Sequence, residues 1–359
     1  MDKLRRSAGG PVLLLALVCA APARAQSPAR FSVDSAMSVD LFRGQNTVDR
    51  PNIIIDVTAV ARIGSGWLVY VRPWFRQPRL PAWDKQIYQA ALQYSHPGRV
   101  ATRLDAGYIA SPIGLGMLDT RPGVNPTIGP HFSYFTPMPA FNPAAPRVPA
   151  IAATYPLGGQ FTASTTIWDA RIAVVNSMPT RVFVINSVNP NPRATAAIVA
   201  GGGITPRAGL RLGVSFAHGD YATKNELTVP DTRGRAVTMA VVEAEYSFAY
   251  TKFTGEVTRD RFETPSGADT AYAWFVQGTQ TLSPRWFVAA RQEGVQAPVA
   301  AFGALAGTRP VLQYSEATLG YKLSTDFTVR GSFMARKAFT RSAWDQQAGV
   351  SLVWARRWW

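Results

Sequence analysis

The chain has 359 residues, 47% of them hydrophobic, and carries 37 Lys and Arg against 22 Asp and Glu, a formal net charge of +15. Its one cysteine, Cys19, excludes a disulfide framework and cysteine-ligated metal. After residue 25 no stretch supplies the roughly 20 predominantly apolar residues of a membrane-spanning helix, so the apolar content must be hidden by alternation along strands.

The first residues read as a secretory leader. Lys3, Arg5 and Arg6 precede the apolar run 12–20, and Ala23-Arg24-Ala25 offers the small residues of a cleavage site, so residues 1–25 are expected to be removed and Gln26 to begin the mature chain. Cys19 lies inside this leader without the small preceding residue that lipidation requires, which argues against a lipoprotein.

From Phe31 the pattern has period two. Phe31, Val33, Met37, Val39 and Leu41 alternate with Ser32, Asp34, Ser38 and Asp40, which puts an apolar and a polar set on opposite faces of a strand. The same alternation follows at 53–62, 103–108, 210–216, 242–248, 318–323 and 327–333, and helical spacing competes nowhere over a comparable length. Tight turns are expected at 64–66, 96–98, 165–166, 205–208, 249–251, 283–285 and 324–326. Longer polar connections are expected near 44–51, 77–86, 112–149, 177–192, 219–235, 262–270, 296–310 and 339–346. If loops are external and turns periplasmic, this gives an all-β fold over 26–359, a transmembrane antiparallel up-and-down barrel of about sixteen strands with both termini inside the periplasm. The least regular part is 150–176, read as one irregular strand, a turn at Thr165-Thr166 and a second strand at 169–176.

Trp67, Tyr94, Tyr250, Trp286, Tyr321, Phe327, Trp358 and Trp359 fall near the turn ends, the place of an aromatic girdle. A soluble β-sandwich is the competing reading of the same aromatics. Its strands average about 5 or 6 residues, against the 9 to 11 needed to cross a bilayer at a tilt, and these segments approach the longer value.

Ala110-Ser111-Pro112-Ile113-Gly114-Leu115-Gly116 resembles a strand-to-loop junction of the Gram-negative porins, and the terminal Trp359 resembles their C-terminal aromatic; Ile113 in an aromatic's place and Arg356-Arg357 before the end depart from the pattern. The resemblance covers nearly the whole chain but is architectural. It implies a trimer, a lipid-bilayer and lipopolysaccharide environment, delivery by the barrel-assembly machinery through the C-terminal strand, and a long third external loop folded into the lumen. That loop is Pro112 to Pro149, with nine prolines together with Asp119, Arg121, His131, Phe132, Tyr134, Phe135, Phe141 and Arg147. Proline fixes φ and removes donors, so such a loop can hold one shape without a ladder and set the pore radius. Lying over the mouth instead, against lipopolysaccharide, is the alternative.

Without the leader (Lys3, Arg5, Arg6 and Arg24 against Asp2) the net charge is +12. Parity turns Arg62, Arg72, Arg76, Arg103, Arg171, Arg211, Lys252, Arg291, Lys322, Arg330 and Arg336 toward the lumen, against nine acids. The candidate pore-lining set is therefore Arg62, Arg72, Arg103, Arg171, Arg211, Arg291 and Arg330 on the wall, with Asp119, Arg121, Tyr134 and Arg147 on the loop. A positive lumen with low-dielectric walls concentrates anions, and the expectation is a porin for passive diffusion of small hydrophilic, preferentially anionic solutes. Pairing of these arginines with the neighbouring acids would cancel the preference.

Nucleic-acid binding is excluded by export and by the spread of the charge. Catalysis has no support: His96 and His218 sit in turn or loop-edge sequences, and His131 has Ser133 nearby but no carboxylate close in sequence to orient it. No metal-ligand spacing occurs, no cofactor is implied, and Gly201-Gly202-Gly203 reads as flexible backbone before a turn. Two other functions stay open. The loop aromatics Phe132, Tyr134, Phe135 and Phe141 could form a slide for aromatic or sugar-like solutes, and a closed barrel would serve structure or adhesion. Against closure stand the small inward residues Gly107, Ala173, Ala197, Gly213, Ser215, Ala217, Gly320 and Ser332, which leave room for water.

Overall fold

The computed structural model describes residues 30–44, 47–79, 82–115, 121–181, 185–186, 194–229, 233–299, 306 and 308–358. Residues 1–25, expected from the sequence to be a leader, and Asp119 and Trp359 lie outside the described residues.

The strands are β1 (Phe31–Gly44), β2 (Thr47–Arg62), β3 (Trp67–Arg79), β4 (Ala82–His96), β5 (Ala101–Tyr108), β6 (Leu157–Ser164), β7 (Trp168–Val175), β8 (Ile185–Asn186) and β9 (Ala197–Arg207). They continue as β10 (Leu210–Ala222), β11 (Arg235–Phe248), β12 (Thr251–Thr264), β13 (Gly267–Thr281), β14 (Trp286–Gln296), β15 (Val311–Lys322), β16 (Phe327–Lys337) and β17 (Asp345–Trp358). All pairings are antiparallel, and they join neighbours in sequence except where β7 pairs with β9 past the two-residue β8, β8 pairs with β4, and β1 pairs with β17. β1 closes the sheet on β17, from Val33 opposite Trp358 to Gly44 opposite Gln347. The result is a closed sixteen-stranded up-and-down barrel, and no α-helix occurs among the described residues.

Alternation places the side chains as the period-two pattern predicts. On β11 and β12, Glu243 and Glu256 are buried inside, while Val242 and Val257 are 60% and 54% exposed on the outside. Val214, Phe216, Val276, Leu319, Phe333 and Val350 continue this outer apolar band around the wall. Such a band is favourable only against hydrocarbon, since each apolar side chain removed from water contributes about 1.5–3 kcal/mol. At the turn end Trp67 packs on Tyr94 and Trp286 on Tyr321, with ring centroids 4.8 and 4.5 Å apart.

Several connections are shorter than the sequence suggests. The polar stretches 44–51, 77–86 and 262–270 are mostly strand, because the ladder continues past the last apolar residue: Glu263 still faces Ala268 and Thr264 faces Gly267. The turn expected at 205–208 is Ala208-Gly209, with Gly209 at φ 83°. In 150–176 only 157–164 and 168–175 are strand, and the turn at 165–167 is as expected. Gly201-Gly202-Gly203 is not a flexible approach to a turn but lies inside β9, bonded on both edges.

β5 and β6 stop after eight residues each, where the chain leaves the wall. β4 runs on past β5 while still paired with β3, and β8 pairs with its other edge at Gln86 and Ile87. This departure places the described residues 109–115 and 121–156 against the inner face.

Candidate functional site

The loop has too many prolines to satisfy its own backbone, so its N–H and C=O groups need partners on the wall. Three inward carboxylates take the donors. Glu256 on β12 accepts from the Leu115 N–H at 2.6 Å and the Tyr134 hydroxyl at 2.7 Å. Glu293 on β14 accepts from the Phe132 and Ser133 N–H groups at 3.0 and 2.9 Å and from the Ser133 hydroxyl at 2.8 Å. Glu316 on β15 accepts from the Ile128 and Gly129 N–H groups at 2.8 and 3.2 Å.

Two inward arginines take the acceptors. Arg291 donates to Thr127 Oγ1 at 2.8 Å and to the carbonyls of Gly129 and Pro130 at 3.0 and 2.9 Å, and it ion-pairs with Glu293 and Glu316. Arg330 donates to the carbonyls of Asn125 and Thr127 at 2.6 and 2.7 Å and to Ser351 Oγ. Gly123 lets the loop backbone reach the seam of the barrel: a Cβ there would stand 3.0 Å from that of Ala355.

Above this polar layer the loop builds an apolar core with the wall. Ile113, Met138, Phe141, Ile151 and Tyr155 pack with Met178, Tyr221, Met239, Phe262 and Phe275, all buried. The small residues expected to leave room for water, Ala173, Ala197, Ala217 and Ser215, are themselves buried, and the three alanines join this core. They make room for the loop.

Open space remains on the other side of the loop. A cavity of about 520 Å³ lies between loop residues 109–115 with Arg121 and the inner faces of β2–β7, β10 and β11. Five arginines line it, Arg72, Arg103, Arg121, Arg171 and Arg211, against three carboxylates, Asp105, Asp169 and Glu245. A second cavity, about 790 Å³, sits under loop residues 122–126 at the turn ends of β13–β17, with Arg285, Lys322 and Asp326 on its lining.

The arginines of the first cavity are paired. Arg72 meets the fully buried Asp56 at 2.6 Å and Arg121 approaches the same carboxylate at 3.5 Å. Arg103 meets Asp105 at 2.8 Å, Arg171 meets Glu243 at 2.6 Å, and Arg211 bridges Asp169 and Glu243 at 2.9 and 3.1 Å. Three of the pairs have a direction. The Arg103 side chain is 48% exposed over a carboxylate at 5%, and Arg121 and Arg171 are 25% and 17% exposed over carboxylates at 0%. In these three pairs the guanidinium is the more exposed partner, whereas in the Arg211 pair Asp169, at 25%, is as open as Arg211 at 20%; the layer is near neutral, with a modest positive excess toward water.

Of the candidate pore-lining residues, Arg72, Arg103, Arg121, Arg171 and Arg211 meet at this cavity. Arg291 and Arg330 do not line an open lumen. They are 2% and 3% exposed beneath the loop, because the donor-poor, acceptor-rich loop backbone draws them in. Arg72, at 6%, reaches the cavity edge only. Tyr134 is buried with its hydroxyl on Glu256 and does not face a gap. Arg147 is exposed and donates from Nε to the Met138 carbonyl at 2.8 Å, and Arg62 is exposed at the turn end of β2; both stand apart from the cavity. Of the loop aromatics, Phe141 is buried on Phe262, Phe132 is stacked on Tyr314 and only Phe135 is exposed, so no continuous apolar slide forms.

The residues that matter most to the loop and were not singled out from sequence are Glu256, Glu293 and Glu316. A signal for them existed: three inward-parity glutamates opposite a segment rich in unpaired backbone donors.

These features define a closed sixteen-stranded β-barrel with a porin-like fold. No protein-family model matches the sequence, and no characterised protein matches it at the sequence level. Solved structures match over nearly the whole chain. OmpF of Salmonella typhi, in complex with daunomycin, has 11% identity and a TM-score of 0.59, covering 91% of this chain and 97% of that one. OmpT, an outer membrane protein of Vibrio cholerae, has 11% identity and a TM-score of 0.59, covering 93% and 100%. An anion-selective porin from Comamonas acidovorans has 11% identity and a TM-score of 0.52, covering 91% and 98%. At this identity the likeness is one of fold.

Proposed function

We propose that the chain is a non-enzymatic outer-membrane channel for passive diffusion of small hydrophilic solutes, with a weak preference for anions. The observation that carries this is the 520 Å³ cavity beside the loop, lined by five arginines against three carboxylates, with Arg103 and Arg171 more exposed than the carboxylates they pair with. A low-dielectric wall strengthens the outward positive side, and the near-cancellation keeps binding loose enough for release. Reversal potentials of the purified protein in a planar bilayer under a KCl gradient test it: a modest chloride preference is expected, and cation preference refutes it. Removal of residues 1–25, assembly as a homotrimer, contact with lipopolysaccharide and recognition of the C-terminal strand by the assembly machinery belong to the same proposal.

The apolar core that fills the upper lumen favours a second reading, a sealed barrel with a structural or adhesive role. Liposome swelling with small sugars and organic acids separates the two, since a sealed barrel gives none.

A further inference from the structure

Gly201, Gly202 and Gly203 occupy the middle of β9, where glycine weakens a strand. None of them has a positive φ, so backbone conformation does not call for them. Space does. A Cβ on Gly201 would stand 2.7 Å from Ser215 Oγ and 3.2 Å from Arg171 Nε, and one on Gly203 would stand 2.9 Å from Arg211 Nη2. Gly213, opposite Gly203 on β10, would bring a Cβ to 2.9 Å from Arg211 Nη1.

These three inward glycines form a bare trough, and two arginines cross it in opposite directions. Arg171 on β7 passes over its register partner Gly201 to reach Ser215 Oγ on β10 at 2.7 Å and Glu243 on β11 at 2.6 Å. Arg211 on β10 passes back over Gly203 to both oxygens of Asp169 on β7, at 2.9 Å each, and forward to Glu243 at 3.1 Å. Arg211 lies along the wall with Nε, Nη1 and Nη2 engaged, and Arg171 lies with Nη2 engaged and its Nε buried without a partner among the described residues; the two side chains remain 20% and 17% exposed.

We propose that Gly201, Gly203 and Gly213 determine the specificity of the channel: the trough they leave lets Arg171 and Arg211 lie flat, so this wall attracts anions without gripping them and the lumen stays wide. The inference rests on the channel reading above. A side chain in the trough lifts a guanidinium into the cavity, which narrows it and frees N–H donors for passing anions. Gly213→Ala is the informative change, because its Cβ meets only the movable ends of Arg211 and Glu243, whereas at 201 and 203 the Val214 and Leu212 carbonyls stand at 2.9 and 2.8 Å.

The test is a cycle of wild type, Gly213→Ala, Arg211→Gln and the double variant, each as the purified full chain in planar bilayers in KCl. Gly213→Ala is expected to lower conductance and raise the chloride-to-potassium permeability ratio about twofold, and to do neither when Arg211 is already Gln. Wild-type conductance and selectivity in Gly213→Ala, or an equal change with and without Arg211, overturns the inference. If Gly213→Ala fails to assemble, Arg171→Gln with Arg211→Gln adds no atoms to the wall: a loss of chloride preference supports the proposal and unchanged selectivity overturns it. A wild-type protein that carries no current removes the channel reading and this inference together, whereas conduction without coupling between 211 and 213 removes this inference alone.

Discussion

Replacing Glu293 by alanine should release the middle of the loop. In the folded barrel this carboxylate is fully buried and takes three loop donors, the Phe132 N–H, the Ser133 N–H and the Ser133 hydroxyl, while ion-pairing with Arg291 at 2.8 Å. Hydrogen bonds to a charged group contribute roughly 1.5–3 kcal/mol each and do not add fully. Arg291 keeps Glu316 and three loop acceptors, so its loss is partial. Docking of residues 131–134 should weaken by roughly 4 kcal/mol, close to the cost of breaking a buried pair by removing one partner. The barrel wall should survive, because its strand ladder does not depend on Glu293. In planar bilayers the variant should show a larger and noisier single-channel conductance than wild type, and the loop should become open to protease added from the external side. Glu293→Gln, which keeps one acceptor oxygen, should fall between. Wild-type conductance together with full protease protection in Glu293→Ala would refute the reasoning that wall carboxylates hold this loop.

Arg103→Glu should shift the reversal potential toward cations, since Arg103 is the most exposed guanidinium of the cavity, whereas Arg291→Gln should alter conductance noise more than selectivity. Asp260 is fully buried on the inner face of β12 and neither carboxyl oxygen has a partner, so Asp260→Leu should raise the thermal unfolding midpoint; transfer of an unbonded polar group costs roughly 2 kcal/mol or more. Val257→Arg on the outer face should destabilise the barrel in lipid by about 2–4 kcal/mol, measured by urea unfolding in vesicles, while Thr254→Arg on the inner face should not. Outside the strands, burial acts to raise the Glu226 carboxyl, but its bonds to Arg181 and Thr223 outweigh this and hold it below the usual carboxylate range. A depressed value means that the tie between the loops following β7 and β10 is present above the ordinary carboxylate range and is lost as pH falls through the lowered value. Proteolysis of these loops should therefore accelerate in acid in wild type, and Glu226→Gln should flatten that dependence.

The wall was legible in the sequence because a strand facing lipid on one side and water on the other has no freedom in its pattern: one residue of slip would put Glu243 and Glu256 into hydrocarbon. The sixteen-strand barrel follows from this alternation, which also puts Arg291 and Arg330 on the face that the loop covers. What parity cannot report is whether an inward residue meets water or protein. Arg291 and Arg103 look alike in sequence, yet one is sealed under the loop and the other is half exposed. Ala173, Ala197 and Ala217 look like space, and the loop fills that space with Met138, Phe141 and Ile151. The path of a proline-rich loop depends on contacts such as Leu115 with Glu256, 141 positions away, and no local pattern encodes them.

The most direct test of the account is a thiol probe in the arginine-lined cavity. Cys19 is the only cysteine of the chain, so Arg103→Cys in a Cys19→Ser background places a single reactive thiol on the cavity wall. If ions pass through this cavity, modification with a bulky anionic thiol reagent should sharply reduce the single-channel conductance of the variant. Complete modification with an unchanged conductance would contradict the account.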